Sequence, residues 1–260
     1  AMFFDVDGTI ISEITGEIPE SARKALQMAK DQGHYIFMNT GRTLCNIDQE
    51  LHAIGFDGLL CGCGTYITFR DQVIRDSHIP VERGIEIAKA LEDCHMGILL
   101  EGKEELIFQR DVRRYPDLEG VRQRKADLKI GNPDLYVEDY DYEYDKLLIC
   151  TDEESNVEKL YQVVGDELDI IDRHHGALEI VQKGLSKATA MEEIRVLLGL
   201  DMDDLYVFGD SSNDITMFEY ADHTIAMGKH DPELEPLTEY VTDTVENDGL
   251  YKAMKHFGFI

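Results

Sequence analysis

Short apolar runs alternate with amphipathic stretches at both ends of this 260-residue chain. Phe3-Phe4 is a brief apolar run that stops at Asp5. From Pro19-Glu20-Ser21 to about Gln32, Ala22, Ala25, Leu26 and Ala29 fall on one face and Gly33 follows, which predicts a helix and its stop. Tyr35 to Met38 predicts a second strand, a helix follows to about Ile54 and Gly55, and Leu59 to Cys61 predicts a third strand. This βαβαβ order implies parallel strands with right-handed crossovers. The last third returns to the rhythm. A helix from about Lys187 to Leu198 is closed by Gly199, and a strand from Leu205 to Phe208 leads to a helix from Asn213 to Tyr220. Thr224 to Ala226, Val241-Thr242 and a final helix from about Leu250 to Phe257 complete it.

The middle has another pattern. Val81 to Cys94 predicts a helix, and Gly97 to Leu100 with Leu106 to Gln109 predicts a hairpin across Glu101-Gly102-Lys103. Residues 110 to 129 carry seven Lys or Arg against four acids, and residues 139 to 145 alternate acids with Tyr140, Tyr142 and Tyr144. A strand from Lys146 to Cys150, a helix from Asn156 to Val164 and a strand from Leu178 to Val181 follow. There is no internal repeat and no Gly/Ser linker. The pattern predicts an α/β core from residues 1–79 and 183–260, with a separate α/β unit, residues 80–182, inserted between its halves.

Composition narrows the function classes. Apolar residues make up 43% of the chain, enough for a substantial core, and the formal net charge is −28. That charge argues against nucleic acid, which is bound through Lys and Arg on phosphates, and against anionic membrane surfaces. It repels a phosphorylated ligand at long range, so an anion site here needs local cations or a metal. No apolar run reaches the length of a membrane span, and the start lacks the basic region and cleavage signature of a signal peptide. Cys45, Cys61, Cys63, Cys94 and Cys150 form an odd, scattered set, which suggests reduced thiols and a cytoplasmic setting. Cys61 and Cys63 have no second pair at zinc-site spacing and read as small buried residues after a strand.

Candidate chemistry sits where the predicted strands end, the place where open parallel sheets bind ligands. Asp5 and Asp7 share one side of an extended segment, and carboxylates so close repel unless a cation approaches or one keeps its proton. Thr40-Gly41-Arg42 follows the second strand. A hydroxyl beside a glycine lets backbone N–H groups approach an anion, although Thr40 or Thr43 could equally cap a helix. Gly209-Asp210-Ser211-Ser212-Asn213-Asp214 again sets an aspartate at a strand end, with Asn213 or Asp214 as a possible cap. Asp5 and Asp210 on neighbouring strands would offer hard oxygen ligands suited to Mg²⁺. Lys187 opens a helix, where a cation opposes the helix dipole unless an anion is near. Lys183 is its rival.

These clusters, in this order, resemble the haloacid dehalogenase superfamily of phosphotransferases. The inserted middle resembles the large α/β cap of its Cof-type, sugar-phosphatase-like branch. The matching strings are DVDGT at 5–9, NTGR at 39–42, KGLSK at 183–187 and GDSSND at 209–214, with AMG at 226–228, VT at 241–242 and DGL at 248–250. The resemblance implies a Rossmann-like parallel-sheet core and an aspartyl-phosphate formed on Asp5, with Asp7 as acid and then base. It implies Thr40, Gly41, Arg42 and Asn213 around the phosphoryl group, and Lys187 as the neutralising charge. Mg²⁺ would be held by Asp5, the Asp7 carbonyl and Asp210, with Asp214 supporting the metal shell. Two positions depart from the family pattern. Cys63-Gly64-Thr65 stands where Asn-Gly-Ala is common, and Lys229-His230 follows AMG where Asn-Ala is common. Both lie near the cap–core cleft in relatives and bear on substrate preference. The expected protein is a cytoplasmic Mg²⁺-dependent phosphatase of small phosphorylated metabolites, a monomer or homodimer that binds neither nucleic acid nor membrane. A phosphomutase and a non-enzymatic Mg²⁺- or phosphate-sensing module are the rivals. The basic stretch from Arg110 to Lys129 either lends the cap cations or is a set of solvated helix faces.

Overall fold

The computed structural model describes residues 1–128, 132–139 and 141–260. Lys129 of the basic stretch and Tyr140 of the tyrosine series lie outside the described residues. In chain order the first elements are β1 (Met2–Phe4), α1 (Glu20–Asp31), β2 (Ile36–Asn39), α2 (Gln49–His52), β3 (Gly58–Cys61), β4 (Tyr66–Phe69) and β5 (Gln72–Asp76). Next come α3 (Val81–Glu92), β6 (Gly97–Glu101), β7 (Leu106–Phe108), α4 (Pro116–Leu128), β8 (Lys146–Cys150), α5 (Val157–Val164), β9 (Leu168–Asp172) and β10 (Ala177–Gln182). The last are α6 (Lys187–Leu198), β11 (Tyr206–Gly209), α7 (Ile215–Tyr220), β12 (His223–Ala226), β13 (Tyr240–Val241) and α8 (Gly249–His256). They form two compact units. The first comprises Ala1–Gly41, Asp48–Arg75 and Ser186–Ile260, the second Arg42–Ile47 and Asp76–Leu185.

The first unit holds an eight-stranded sheet in the order β13-β12-β11-β1-β2-β3-β4-β5. From β13 to β3 every pair is parallel. Chain order reverses at β1, which lies between β11 and β2, and such a switch point opens a crevice beyond the strand ends. The register sets Phe4 beside both Phe208 and Met38, so Asp5, Asn39 and Gly209 leave the sheet at one level. Buried aromatic contacts hold it: Phe3 stacks on Phe37 at 5.0 Å and Phe4 on Phe208 at 4.6 Å. Ala22, Ala25, Leu26 and Ala29 are the buried face of α1, as the periodicity predicts.

Two stretches of the chain differ from the sequence expectation. The sheet is mixed, because β4 pairs antiparallel with β3 and continues to β5 through Arg70-Asp71. Both turn residues hold positive φ, 46° and 64°, the geometry of a tight hairpin, and Arg70 lacks the usual Asn or Gly that signals it. The helix expected to reach about Ile54 is broken. A 3-10 turn at Leu44–Asn46 ends in extended Ile47 and Asp48, and α2 is a single turn. Asn46 and Asp48 at that break are residue types of low helix propensity.

The second unit is a five-stranded, wholly antiparallel sheet in the order β7-β6-β8-β10-β9. Alternate residues serve its two faces. Ile98, Leu100, Leu147, Ile149 and Ile180 pack with Ile87 and Leu91 of α3 and Leu160 and Val164 of α5. Leu99, Phe108 and Cys150 pack with Val112, Tyr115 and Leu118 of the α4 region. The pattern did not predict α4 or β9: α4 has no continuous apolar stripe, and Leu-Asp-Ile-Ile-Asp in β9 does not alternate cleanly. Among the described residues, no helix is long and apolar enough to cross a membrane.

Candidate active site

Asp5 follows β1, where its N–H donates to the Phe208 carbonyl at 2.9 Å, and it is only 4% exposed. Lys187 is the first residue of α6. Ser186 caps that helix in a reciprocal box with Thr189, so the start of the helix is fixed without help from Lys187. The 1%-exposed Lys187 side chain can therefore turn inward. Its Nζ donates to Asp5 Oδ1 and Asp214 Oδ1, both at 2.5 Å, and to Asn213 Oδ1 at 3.2 Å. The other Asp214 oxygen accepts the Asp210 and Ser211 backbone N–H groups at 2.9 and 3.0 Å. Asp210 follows β11, and its Oδ1 accepts the Thr9 hydroxyl at 2.9 Å. Ligand oxygens of Asp5, Asp210 and Asp214 all lie within 4.8 Å of one another.

Two glycines permit this closeness. Gly8 has a φ of 85°, and a Cβ there would collide with the Asp210 carboxylate. A Cβ on Gly209 would sit 2.6 Å from Asp214 Oδ2.

Burial pushes the Asp5 carboxyl up, Lys187 opposes the shift, and Asp214 and Asp7 add to it. Asp210 is pushed up by burial and then by the Asp5 and Asp214 charges. Burial works against the Lys187 charge, but Asp214 and Asp5 outweigh it and hold the ammonium above the ordinary lysine range. Three buried carboxylates thus share one ammonium, and the site lacks positive charge. A hard divalent cation with oxygen ligands fits that deficit. Of the three, both Asp214 oxygens are already engaged, which would leave Asp5 and Asp210 to hold such a cation.

Most of the other expected residues fall nearby. Asp7 is half-buried, two residues past Asp5 and within range of its charge. Thr40 is buried, its N–H on the Leu60 carbonyl at 2.8 Å, and Gly41 follows half-buried. Asn213 joins the cluster through Lys187. Arg42 belongs to the second unit, where its guanidinium donates to the Asn46 carbonyl at 3.3 Å.

Two residues escaped the sequence reading. Thr9 holds Asp210. Asn39 donates to the Lys187 carbonyl at 3.1 Å and so ties the end of β2 to the start of α6. Both stood in quoted motifs, and a buried amide closing an apolar strand was the available signal for Asn39.

The model of the haloacid dehalogenase-like hydrolase family matches residues 2–254. The chain belongs to that family. This hydrolase is 32% identical over 266 residues to the Bacillus subtilis (strain 168) protein named "Putative phosphatase YkrA", covering 100% of this chain and 98% of the relative. It is 29% identical to the 5-amino-6-(5-phospho-D-ribitylamino)uracil phosphatase YcsE of the same strain, covering 97% and 93%. A solved structure described as the subclass IIB sugar phosphatase BT4131 superposes with a TM-score of 0.83 at 27% identity, covering 100% and 99%. The chain is accordingly an enzyme, a phosphatase of the haloacid dehalogenase type with an α/β fold.

Proposed function

We propose that this phosphatase hydrolyses small phosphomonoesters, sugar phosphates or similar, through an aspartyl-phosphate on Asp5 with Mg²⁺ as cofactor. The observation that carries the reading is the Lys187 ammonium bonded to Asp5 beside Asp210 and Asp214. An Asp5 oxygen attacks phosphorus, and the bond from phosphorus to the ester oxygen breaks. Asp7 gives its proton to that leaving oxygen. Asp7 then takes a proton from the water that attacks the acyl phosphate, which frees inorganic phosphate and restores Asp5. Lys187 neutralises charge on Asp5 and the phosphoryl oxygens throughout. Thr40, Gly41 and Asn213 hold those oxygens, and Arg42 enters on its place in the motif alone. Asp5, the Asp7 carbonyl and Asp210 would hold Mg²⁺, which supplies charge neutralisation to the phosphoryl oxygens when bound. Asp214 keeps the Asp210 loop and Lys187 in place.

The second unit serves as the substrate-selecting cap, and the setting is cytoplasmic. The names of YcsE and BT4131 support a phosphorylated sugar or polyol as the substrate class. The test is release of inorganic phosphate from 4-nitrophenyl phosphate and a panel of sugar phosphates with Mg²⁺. EDTA and Asp5→Asn should each abolish release. Isomerised product without free phosphate would indicate a mutase, and full turnover by Asp5→Asn would end the nucleophile assignment.

A further inference from the structure

Lys229 is a cation on the loop after β12. The backbone around it is tied down. Met227 N–H donates to the Gly209 carbonyl at 3.0 Å, Gly228 N–H to Asp243 at 3.0 Å, and Asp231 N–H to the Asp210 carbonyl at 2.7 Å. The Asp231 carboxylate accepts the Ser212 N–H at 2.8 Å. A Cβ on Gly228 would lie 2.6 Å from the Thr244 nitrogen, so the loop packs closely there. Lys229 thus has a base fixed to the Asp210 strand and a head 71% exposed.

That head lines a cleft with Gly8, Glu13, Ile14, Thr244 and Glu246. Gly8 directly follows Asp7, so one wall of the cleft is the catalytic loop itself. Glu246 accepts the Ser12 hydroxyl. Glu13 pairs with Lys229 at 2.8 Å and is itself 51% exposed. Glu13 holds the ammonium above its ordinary range, and Asp210 and Glu246 add to that. A pair this exposed contributes little, at most about 1 kcal/mol, and exchanges readily for a better anion. In a chain of net charge −28, a cation beside the catalytic loop also counters the long-range repulsion of an anionic ligand.

We propose that Lys229 determines specificity: it leaves Glu13 to bind a second anionic group of the substrate, so the enzyme prefers doubly anionic phosphomonoesters such as phosphorylated sugar acids. This rests on the phosphatase reading above and names the substrate class within it. Lys229 takes no part in the bond changes at phosphorus.

The test compares 6-phosphogluconate with glucitol 6-phosphate as competitive inhibitors of 4-nitrophenyl phosphate hydrolysis. The two share a six-carbon open chain and differ in a carboxylate against an alcohol. Wild type should favour the carboxylate by about tenfold. Lys229→Asn should bring that preference near one while leaving kcat for 4-nitrophenyl phosphate unchanged, and Lys229→Arg should retain it. Glu13→Gln frees the ammonium and should widen the preference about two- to threefold. A purely structural role for the Lys229–Glu13 pair would move both variants in the same direction. A wild type that binds both compounds equally, or neither, overturns the proposal. So does equal weakening of both by Lys229→Asn, or a narrowed preference in Glu13→Gln. Absence of wild-type 4-nitrophenyl phosphate turnover overturns the phosphatase reading instead, so the two failures are distinguishable.

Discussion

Each unit buries a lysine among carboxylates, and the two clusters close their charge differently. In the first unit Lys187 faces Asp5 and Asp214, with Asp210 beside them. Three carboxyl groups against one ammonium leave two of them without a cation of their own. In the second unit Lys146 pairs with Glu101 at 2.9 Å and with Glu179. Arg173 lies 3.9 Å from Glu179, and Lys125 is near enough to lower the Glu101 carboxyl against the burial that raises it. That cluster draws enough cations from its own unit to balance its acids. Buried ions are costly unless paired, so a cluster that leaves the deficit open is built for an added cation, and one that closes it is built to fold. The contrast marks the first cluster as the candidate functional site without appeal to any motif.

The largest expected effects come from the open cluster. Asp5→Asn and Lys187→Met should each lower kcat by about 10⁴-fold or more, because the proposed nucleophile and its neutralising charge would act as one unit. Steady-state phosphate release measures this. Their double variant should be scarcely worse than either single, and an additive loss would show that the two groups act independently.

The closed cluster should respond in stability instead. Lys146→Met leaves Glu101 and Glu179 buried without their shared ammonium, and should cost about 3–5 kcal/mol in chemical denaturation. A cost below 1 kcal/mol would mean that the Lys146 pairs do not hold the fold together, and the second half of the contrast would fail.

Next in size is the effect of relieving the deficit. Asp210→Asn removes a buried carboxylate that its neighbours repel, so at pH 7 the metal-free variant should be more stable than wild type by about 1–2 kcal/mol. It should also lose the stabilisation expected from Mg²⁺ in wild type if the proposed site binds it, about 2.7 kcal/mol at a hundredfold excess over Kd. Thermal melts with EDTA or Mg²⁺ read both. A variant that is less stable without metal would show that the Asp210 carboxyl is net favourable where it sits, and the repulsion argument would fail.

The two clusters were not equally legible in the sequence. The open one announces itself locally, since acids at the ends of apolar strands and a lysine opening a helix are anomalies within a few residues of chain. Asp5 and Asp210 could therefore be named together, while Lys187 was separated from Lys183 only by the family resemblance. Thr9 and Asn39 acquire meaning only through partners 201 and 148 residues away. The closed cluster depends wholly on register. Glu101 lies directly opposite Lys146, while Glu179 opposes Leu148 and meets Lys146 diagonally. Each of these residues looks like an ordinary polar position beside an apolar strand. The β4–β5 hairpin was obscured for a related reason: at Arg70-Asp71 the rest of the fold imposes a backbone that those residue types do not advertise.

The smallest expected effect lies where the second unit's charge closure is least complete. Asp145 is buried behind His78, whose Nδ1 lies 2.7 Å from Asp145 Oδ1 and whose Nε2 lies 3.1 Å from Asp76. Lys103 approaches Asp76 at 2.7 Å rather than Asp145. Burial pushes the Asp145 carboxyl up to about 6, and the His78 bond only partly offsets this. The folded state therefore holds this proton at pH values where the unfolded chain has released it. Between about pH 4 and pH 6 the folded protein binds more protons, so this group's contribution to stability falls as pH rises, by about 1 kcal/mol per pH unit. Asp145→Asn keeps an acceptor for His78 but cannot ionise, so the slope of unfolding free energy in that window should become less negative. Urea titrations at pH 4, 5 and 6 on both proteins measure the difference. An unchanged slope would mean that Asp145 is ionised throughout and fully paired, and the second unit would then have no buried acid left unbalanced.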